Sequence, residues 1–390
     1  MQVEDTQLGM EGVRNVKIIA WNGWFRFDQT STNDSGCWNI NRNYRGKAWF
    51  WVKFKNDKCR IRGTTASWRA AWQWQSTVID AIGRVDGPNF NNIQINYNLW
   101  TQQGSSAHLY WGAATVNNAL HDFHDYAIAD GVPTPERLDI YVGRNNTYGY
   151  TLMHSQDIFS TTIGAAVGAA LFWTGPFAPL AAVVTWAGVQ IYLPEVYVGI
   201  DYQRSGLLKR LAYHEFTHAS HYEQVGDIYW DQLVIAETLA NGHGDQNSND
   251  AGIISVAESW AGYLGSFLYM SRTYDVGETF GQTWFQRLEE TWNESPAHIP
   301  IGLYHDLVDV GEPIFSVPAP FGGTVSVSAC NQDGSGCTII ADPVSGFTNA
   351  QMFSCLTFPV TSIAQFQSCL ISSNTTSNTV AQINALFGSY

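Results

Sequence analysis

Apolar and polar residues alternate through the first sixty or so positions in the two-residue rhythm of half-buried strands. Val16, Ile18 and Ala20 take one face of one run, and Phe50, Val52 and Phe54 one face of another. Asn33-Asp34-Ser35-Gly36 and Asn56-Asp57 separate such runs with turn formers. The pattern predicts a small β-sandwich over residues 12–62, within a first domain at 1–63. Beyond Thr64 the rhythm changes. Residues 68–82 and 108–128 read as helices, and 138–142, 148–153 and 196–200 as strands. Leu207, Leu208, Leu211, Ala212 and Phe216 then recur at helical spacing. Ser205 is the expected N-cap of that helix and Gly226 its stop. A loop at 240–252 leads to an apolar helix at 253–269. Short helices at 347–356, 362–371 and 379–387 complete a second domain at 64–390. The fold class is α+β: an N-terminal β-sandwich, then a mixed sheet, a long helix and a helical C-terminal lobe.

One stretch departs from both rhythms. Residues 158–194 contain no charged side chain, and Gly175-Pro176 and Pro179 interrupt them near the middle. A single membrane span needs about 20 continuous apolar residues. The stretch therefore reads as a hairpin of two short helices buried on the protein. Membrane contact through it, or a lid over a cleft, is the alternative that is not favoured.

Composition narrows the partners. The formal net charge is −14, with 14% charged and 14% aromatic residues, which argues against nucleic acid and against disorder. Cys37, Cys59, Cys330, Cys337, Cys355 and Cys369 form no C-x-x-C. Their grouping predicts disulfides 37–59, 330–337 and 355–369, and hence an oxidising, extracytoplasmic setting: secreted, periplasmic or cell-surface. Met1 to Asp5 has neither the basic start nor the apolar core of a secretory leader, so the chain reads as a mature or trimmed form.

The candidate chemistry lies in His214-Glu215-Phe216-Thr217-His218. On a helix, residues four apart share a face, so both imidazoles can reach one metal, most often zinc. Glu215 beside them is placed to act as general base toward metal-activated water. A third ligand is required, and two glutamates compete. Glu237 lies nineteen residues after His218 and Glu258 forty. Glu258 is preferred, because its helix is long and apolar. His221, one turn beyond His218, reads as an outer or surface residue. His121 and His124, three apart, have no third ligand nearby in sequence and read as surface or packing histidines.

These residues also carry a resemblance. His214 to Tyr222, Val225-Gly226, Tyr229-Trp230, Ala257 to Gly265, 299–308 and 344–348 resemble the gluzincin zinc metallopeptidases of the thermolysin-like clan. More closely, they resemble secreted proteins of Bacteroidetes type that carry an N-terminal sandwich. The phrases at 12–17, 34–40 and 53–56 resemble the carboxypeptidase-regulatory-like, transthyretin-like sandwich. The likeness implies a zincin-type domain, a zinc ion on His214, His218 and Glu258, and hydrolysis of peptide or protein substrates. It also implies an oxyanion donor downstream of the glutamate helix: His305 is the first choice and Tyr304 the second. Ala257, Ala261 and Gly262 stand where thermolysin-like enzymes have Asn, Ser and Asp, so the usual outer partner of a histidine ligand is missing there. The acidic composition would favour basic peptides. The competing class is a surface adhesion or glycan- or protein-binding module with a vestigial or structural metal site, suggested by the sandwich and the many tryptophans.

Overall fold

The computed structural model describes residues 1–23, 27–42, 44, 46–63, 76–85, 92–99, 104–153, 194–274, 293–294, 298–308, 316–318, 324–326, 344–388 and 390. The chain is mixed α and β. It divides into two compact units, Met1–Asp125 with Pro135–Phe216, and Tyr126–Thr134 with Thr217–Tyr390.

In the first unit the N-terminal region is sandwich-like. A three-stranded sheet has the order β2-β1-β8, built from β1 (Gln2–Asp5), β2 (Gly9–Gly12) and β8 (Asn96–Tyr97). A four-stranded antiparallel sheet has the order β4-β3-β5-β7, from β3 (Lys17–Trp21), β4 (Phe27–Ser31), β5 (Ala48–Lys53) and β7 (Ile79–Val85). The alternation read from the sequence is the reason: Ile18, Ala20, Phe50 and Val52 are all buried, while Trp21 and Trp49 point outward. Two expectations need correction. The strand β6 (Cys59–Arg62) leaves this region and pairs in parallel with β9 (Leu138–Gly143). The helix expected over 68–82 ends as strand β7, because Ile79, Ala81 and Arg84 fall opposite Lys53, Trp51 and Trp49 and complete the outward face. Residues 68–75 of that expected helix lie outside the described residues.

The second sheet of this unit has the order β10-β11-β9-β6, with β10 (Gly149–Thr151) and β11 (Val196–Gly199). The helix α1 (Ser106–Asp130) carries small and apolar buried residues, Ala113, Ala114, Val116 and Ala119 among them. Near its middle, Asn117 and Asn118 donate to the carbonyls of Arg14 and Gly12 at 2.7 and 2.8 Å, which ties the N-terminal strands to it.

The helix α2 (Ser205–Ala240) is longer than expected. Gly226 leaves helical conformation at φ 72°, as its sequence position suggests, but the helix resumes beyond this kink. Ser205 is its first residue rather than its cap, and its hydroxyl accepts the Thr6 amide at 2.8 Å. Lys209 is fully buried, held at 3.0 Å from Asp5 and 2.9 Å from Glu11.

In the second unit α3 (Ala251–Ala261) runs into a π-helical segment, Gly262–Tyr269, and then α4 (Met270–Tyr274). The strands β12 (Asn293–Glu294) and β13 (Ile299–Pro300) pair, as do β14 (Ser316–Pro318) and β15 (Thr324–Ser326). Following α5 (Ile301–Asp306), three short helices fall close to the expected places: α6 (Asn349–Ser354), α7 (Ile363–Ser372) and α8 (Val380–Phe387). Thr348 and Thr379 form capping boxes with Gln351 and Gln382, which explains how such short helices start cleanly. Trp260, Tyr263, Tyr304 and Phe366 form an aromatic core, with ring centroids 5.1–5.9 Å apart.

One disulfide is present among the described residues, Cys355–Cys369, as expected. The 37–59 pairing is not formed. Cys37 is exposed in the turn after β4, whereas Cys59 opens β6, where it is wholly buried in the other sheet. Cys330 and Cys337 lie outside the described residues, as do residues 158–193 of the apolar stretch. No helix among the described residues is long and apolar enough to cross a membrane.

Candidate metal centre

The two imidazoles of the H-E-x-x-H pattern lie one turn apart on α2, ahead of the Gly226 kink. Leu208, Ala212 and Phe216 on the same helix are buried, so the apolar stripe read from the sequence fixes how the helix faces its surroundings. His218 is 5% exposed and Glu215 3%. Glu258 arrives from α3, itself buried from Ile253 to Ala261. Its Oε1 stands 3.0 Å from His218 Nε2. One donor atom from each of His214, His218 and Glu258 lies within 4.8 Å of the others.

The donor set suits a metal ion. Two imidazole nitrogens and a carboxylate oxygen form a common catalytic zinc set. Donors bound to zinc at about 2.0–2.2 Å in a tetrahedron are roughly 3.3–3.5 Å apart, close to the His218–Glu258 separation. Glu258 is only 2% exposed, and a carboxylate that deep requires a cationic or hydrogen-bonding partner. The expected triad is therefore brought together. Glu237 is not part of it. Its residue follows the Gly226 kink, and its carbonyl receives the Gly242 amide that closes the helix.

Glu215 points elsewhere. Thr151 Oγ1, on β10, donates to Glu215 Oε2 at 2.8 Å and to the Glu215 carbonyl at 3.0 Å. The carboxylate lies so close to β10 that a Cβ added to Gly149 would come within 2.2 Å of Oε1, so only glycine leaves it room there. Strand β10 pairs with β11 and with no other strand among the described residues. Strand β11, by contrast, pairs on both sides, with β9 and β10.

Of the expected oxyanion donors, Tyr304 is wholly buried in the aromatic core described above. His305 is half-buried near the end of α5. Neither belongs to the group of three. His221 is buried rather than superficial, edge-on to Tyr229 and Trp230 at 5.4 and 6.0 Å. Burial, and then the charge of His218, push its pKa down to about 3.

One residue of this neighbourhood escaped the sequence. His243, in the loop between α2 and α3, places Nε2 3.2 Å from Glu258 Oε2. The only available signal was its flanking glycines, which mark a shaped turn and say nothing of a carboxylate. No protein-family model, no curated protein and no solved structure matches the chain.

Proposed function

We propose that the chain is a zinc metallopeptidase of the gluzincin type, its domain folded in the zincin manner and acting on peptides or proteins outside the cytoplasm. The observation that carries this reading is the meeting of His214, His218 and Glu258 beside a buried glutamate that is not itself one of the three. A zinc ion held there supplies Lewis acidity toward water and a substrate carbonyl. Glu215 takes a proton from water and delivers it to the leaving nitrogen. Thr151 and the space left at Gly149 keep its carboxylate against β10. An extended peptide added to β10 by strand pairing would pass beside that base. His305 serves as oxyanion donor in this reading, because Tyr304 is committed to the core. The Cys355–Cys369 disulfide supports an oxidising compartment.

A peptide-library digest with and without chelator tests the assignment, with Glu215→Gln as its partner experiment. The variant should retain zinc and lose about 10²–10⁴-fold in cleavage, since the amide cannot take up the proton. If zinc-loaded wild-type protein cleaves nothing in a broad library, the enzyme reading fails.

A binding-module reading would then take its place, and one observation favours it. The outward face of the four-stranded sheet carries Trp21, Trp49 and Phe27 at 36, 42 and 53% exposure. Trp51 lies 6.1 and 6.4 Å from the first two rings. Exposed aromatic rows of this kind suit glycan or protein surfaces. Retention on immobilised polysaccharides, abolished by Trp49→Ala, is its test.

A further inference from the structure

We propose that His243 is a positioning residue for the metal centre, holding the Glu258 carboxylate so that one oxygen is presented to the metal. The inference rests on the metal-site reading above and concerns a residue outside the H-E-x-x-H pattern and outside the group of three.

Glu258 meets one imidazole at each oxygen. Oε1 stands 3.0 Å from His218 Nε2, on the ligand side. Oε2 stands 3.2 Å from His243 Nε2, on the other. A carboxylate has two equivalent oxygens and can turn about its last bond, so a ligand carboxylate without an outer contact is poorly defined. An imidazole at ion-pair distance from one oxygen removes the equivalence and favours binding through the other. Ligand carboxylates are commonly engaged in this way. Here the outer partner comes from the loop between α2 and α3.

The loop is built to deliver the ring. Gly242 donates its amide to the Glu237 carbonyl at 2.8 Å, and Asn241 to that of Thr238 at 3.2 Å. Asn241 takes a left-handed conformation, φ 57°, so the chain turns sharply just before His243. On the far side, the Asp245 amide donates to Ser248 Oγ at 2.9 Å, and the Ser248 amide to the Asp245 carbonyl at 3.0 Å. His243 is thus held between two fixed turns. Its side chain is 37% exposed while that of Glu258 is 3% exposed, so it closes the outer side of a buried carboxylate.

The experiment is zinc affinity by competition with a chromogenic chelator, on the full chain. Four proteins are compared: wild type, His243→Ala, His243→Gln and Glu258→Ala. His243→Ala should bind zinc about 10–100-fold more weakly, the usual loss for an outer partner. His243→Gln, whose amide can donate to the same oxygen, should recover most of that loss. Cobalt bound to His243→Ala should keep the wild-type absorption bands, because the three ligands are unchanged. Melting of the metal-free proteins should be the same for all but Glu258→Ala, which separates a metal effect from a folding effect. Wild-type affinity in His243→Ala overturns the proposal, as does a failure of His243→Gln to recover. A shifted cobalt spectrum also overturns it, by making His243 a ligand. Wild-type protein that binds no zinc overturns the metal-site reading itself, a result distinguishable from the others.

Discussion

Along α1, His121-Asp122-Phe123-His124 sets two imidazoles three residues apart with a carboxylate after the first. Along α2, His214-Glu215-Phe216-Thr217-His218 sets two imidazoles four apart, again with a carboxylate after the first. Both spacings put the pair on one helix face. What faces them differs. His121 and His124 are 5 and 6% exposed, and their Nε2 atoms find no hydrogen-bond partner among the described residues. Burial first, and then the charges of Arg14 and Lys58 at His121 and of Lys58 and His121 at His124, lower both pKa values to about 4. The intervening Asp122 is held by Arg14 at 3.0 Å and by Tyr213 at 3.3 Å. A metal cation placed at His121 and His124 would meet the positive charge of Arg14 and Lys58, and the nearby carboxylates are engaged elsewhere, Asp125 by Arg14 at 2.7 Å and Asp57 by the Asn15 side-chain amide. His214 and His218 instead meet Glu258. The lesson is that histidine spacing nominates a metal site and the charge of the opposing element decides it. The expectation that the α1 pair consists of surface or packing residues resolves to packing.

Three experiments can break or sharpen this contrast. The largest effect belongs to Glu258→Ala, which should weaken zinc binding by more than the roughly 100-fold limit of an outer partner. The double variant His121→Asn with His124→Asn, and separately Glu237→Ala, should keep one zinc per chain by elemental analysis. Zinc lost from either of those, with Glu258→Ala unaffected, would reverse the assignment.

Acid should act on the α1 pair. An unfolded imidazole titrates near 6.5 and these near 4, so as pH falls the unfolded state takes up protons first. Their contribution is fully present above pH 6.5 and is lost as pH falls toward 4. Asp122 works against this. Burial raises it from 3.8 to about 6, so its contribution is full below 3.8 and lost as pH rises through 6. With two groups against one, and allowing for solvent screening, the net loss from pH 7 to 5 should be about 1–2 kcal/mol. Urea melts at the two pH values measure it. In the His121→Asn, His124→Asn protein the loss should disappear and the slope should reverse, because only the opposing Asp122 contribution is left, and an unchanged slope would sink the attribution.

The smallest effect concerns the two carboxylates. Asp122 pairs with the Arg14 cation, whereas Glu215 accepts a hydrogen bond from the Thr151 hydroxyl. Thr151→Val should leave zinc affinity unchanged and slow peptide cleavage about 3–10-fold, the worth of one hydrogen bond of 0.5–1.5 kcal/mol. Lost zinc in this variant would mean that Thr151 supports the helix rather than the base.

Much of this was legible in the chain because it depends on near neighbours. The period of Leu208, Ala212 and Phe216 determines that α2 is a helix with one buried face, and therefore that His214 and His218 share a side. The two-residue alternation at Ile18, Ala20, Phe50 and Val52 likewise determines strands and their inner faces. The same local reading failed at β7, where the pattern around Ile79 makes sense only against β5. It failed again at Cys37 and Cys59, which are close in sequence but belong to different sheets. Which of two glutamates completes the metal group, which strand lies beside Glu215, and that His243 meets Glu258 were decided only by tertiary structure. Each is a contact across tens of residues or between separate elements. Such contacts follow from the kink at Gly226, the turn at Asn241 and the packing of α3, and no local pattern encodes where these bring a side chain.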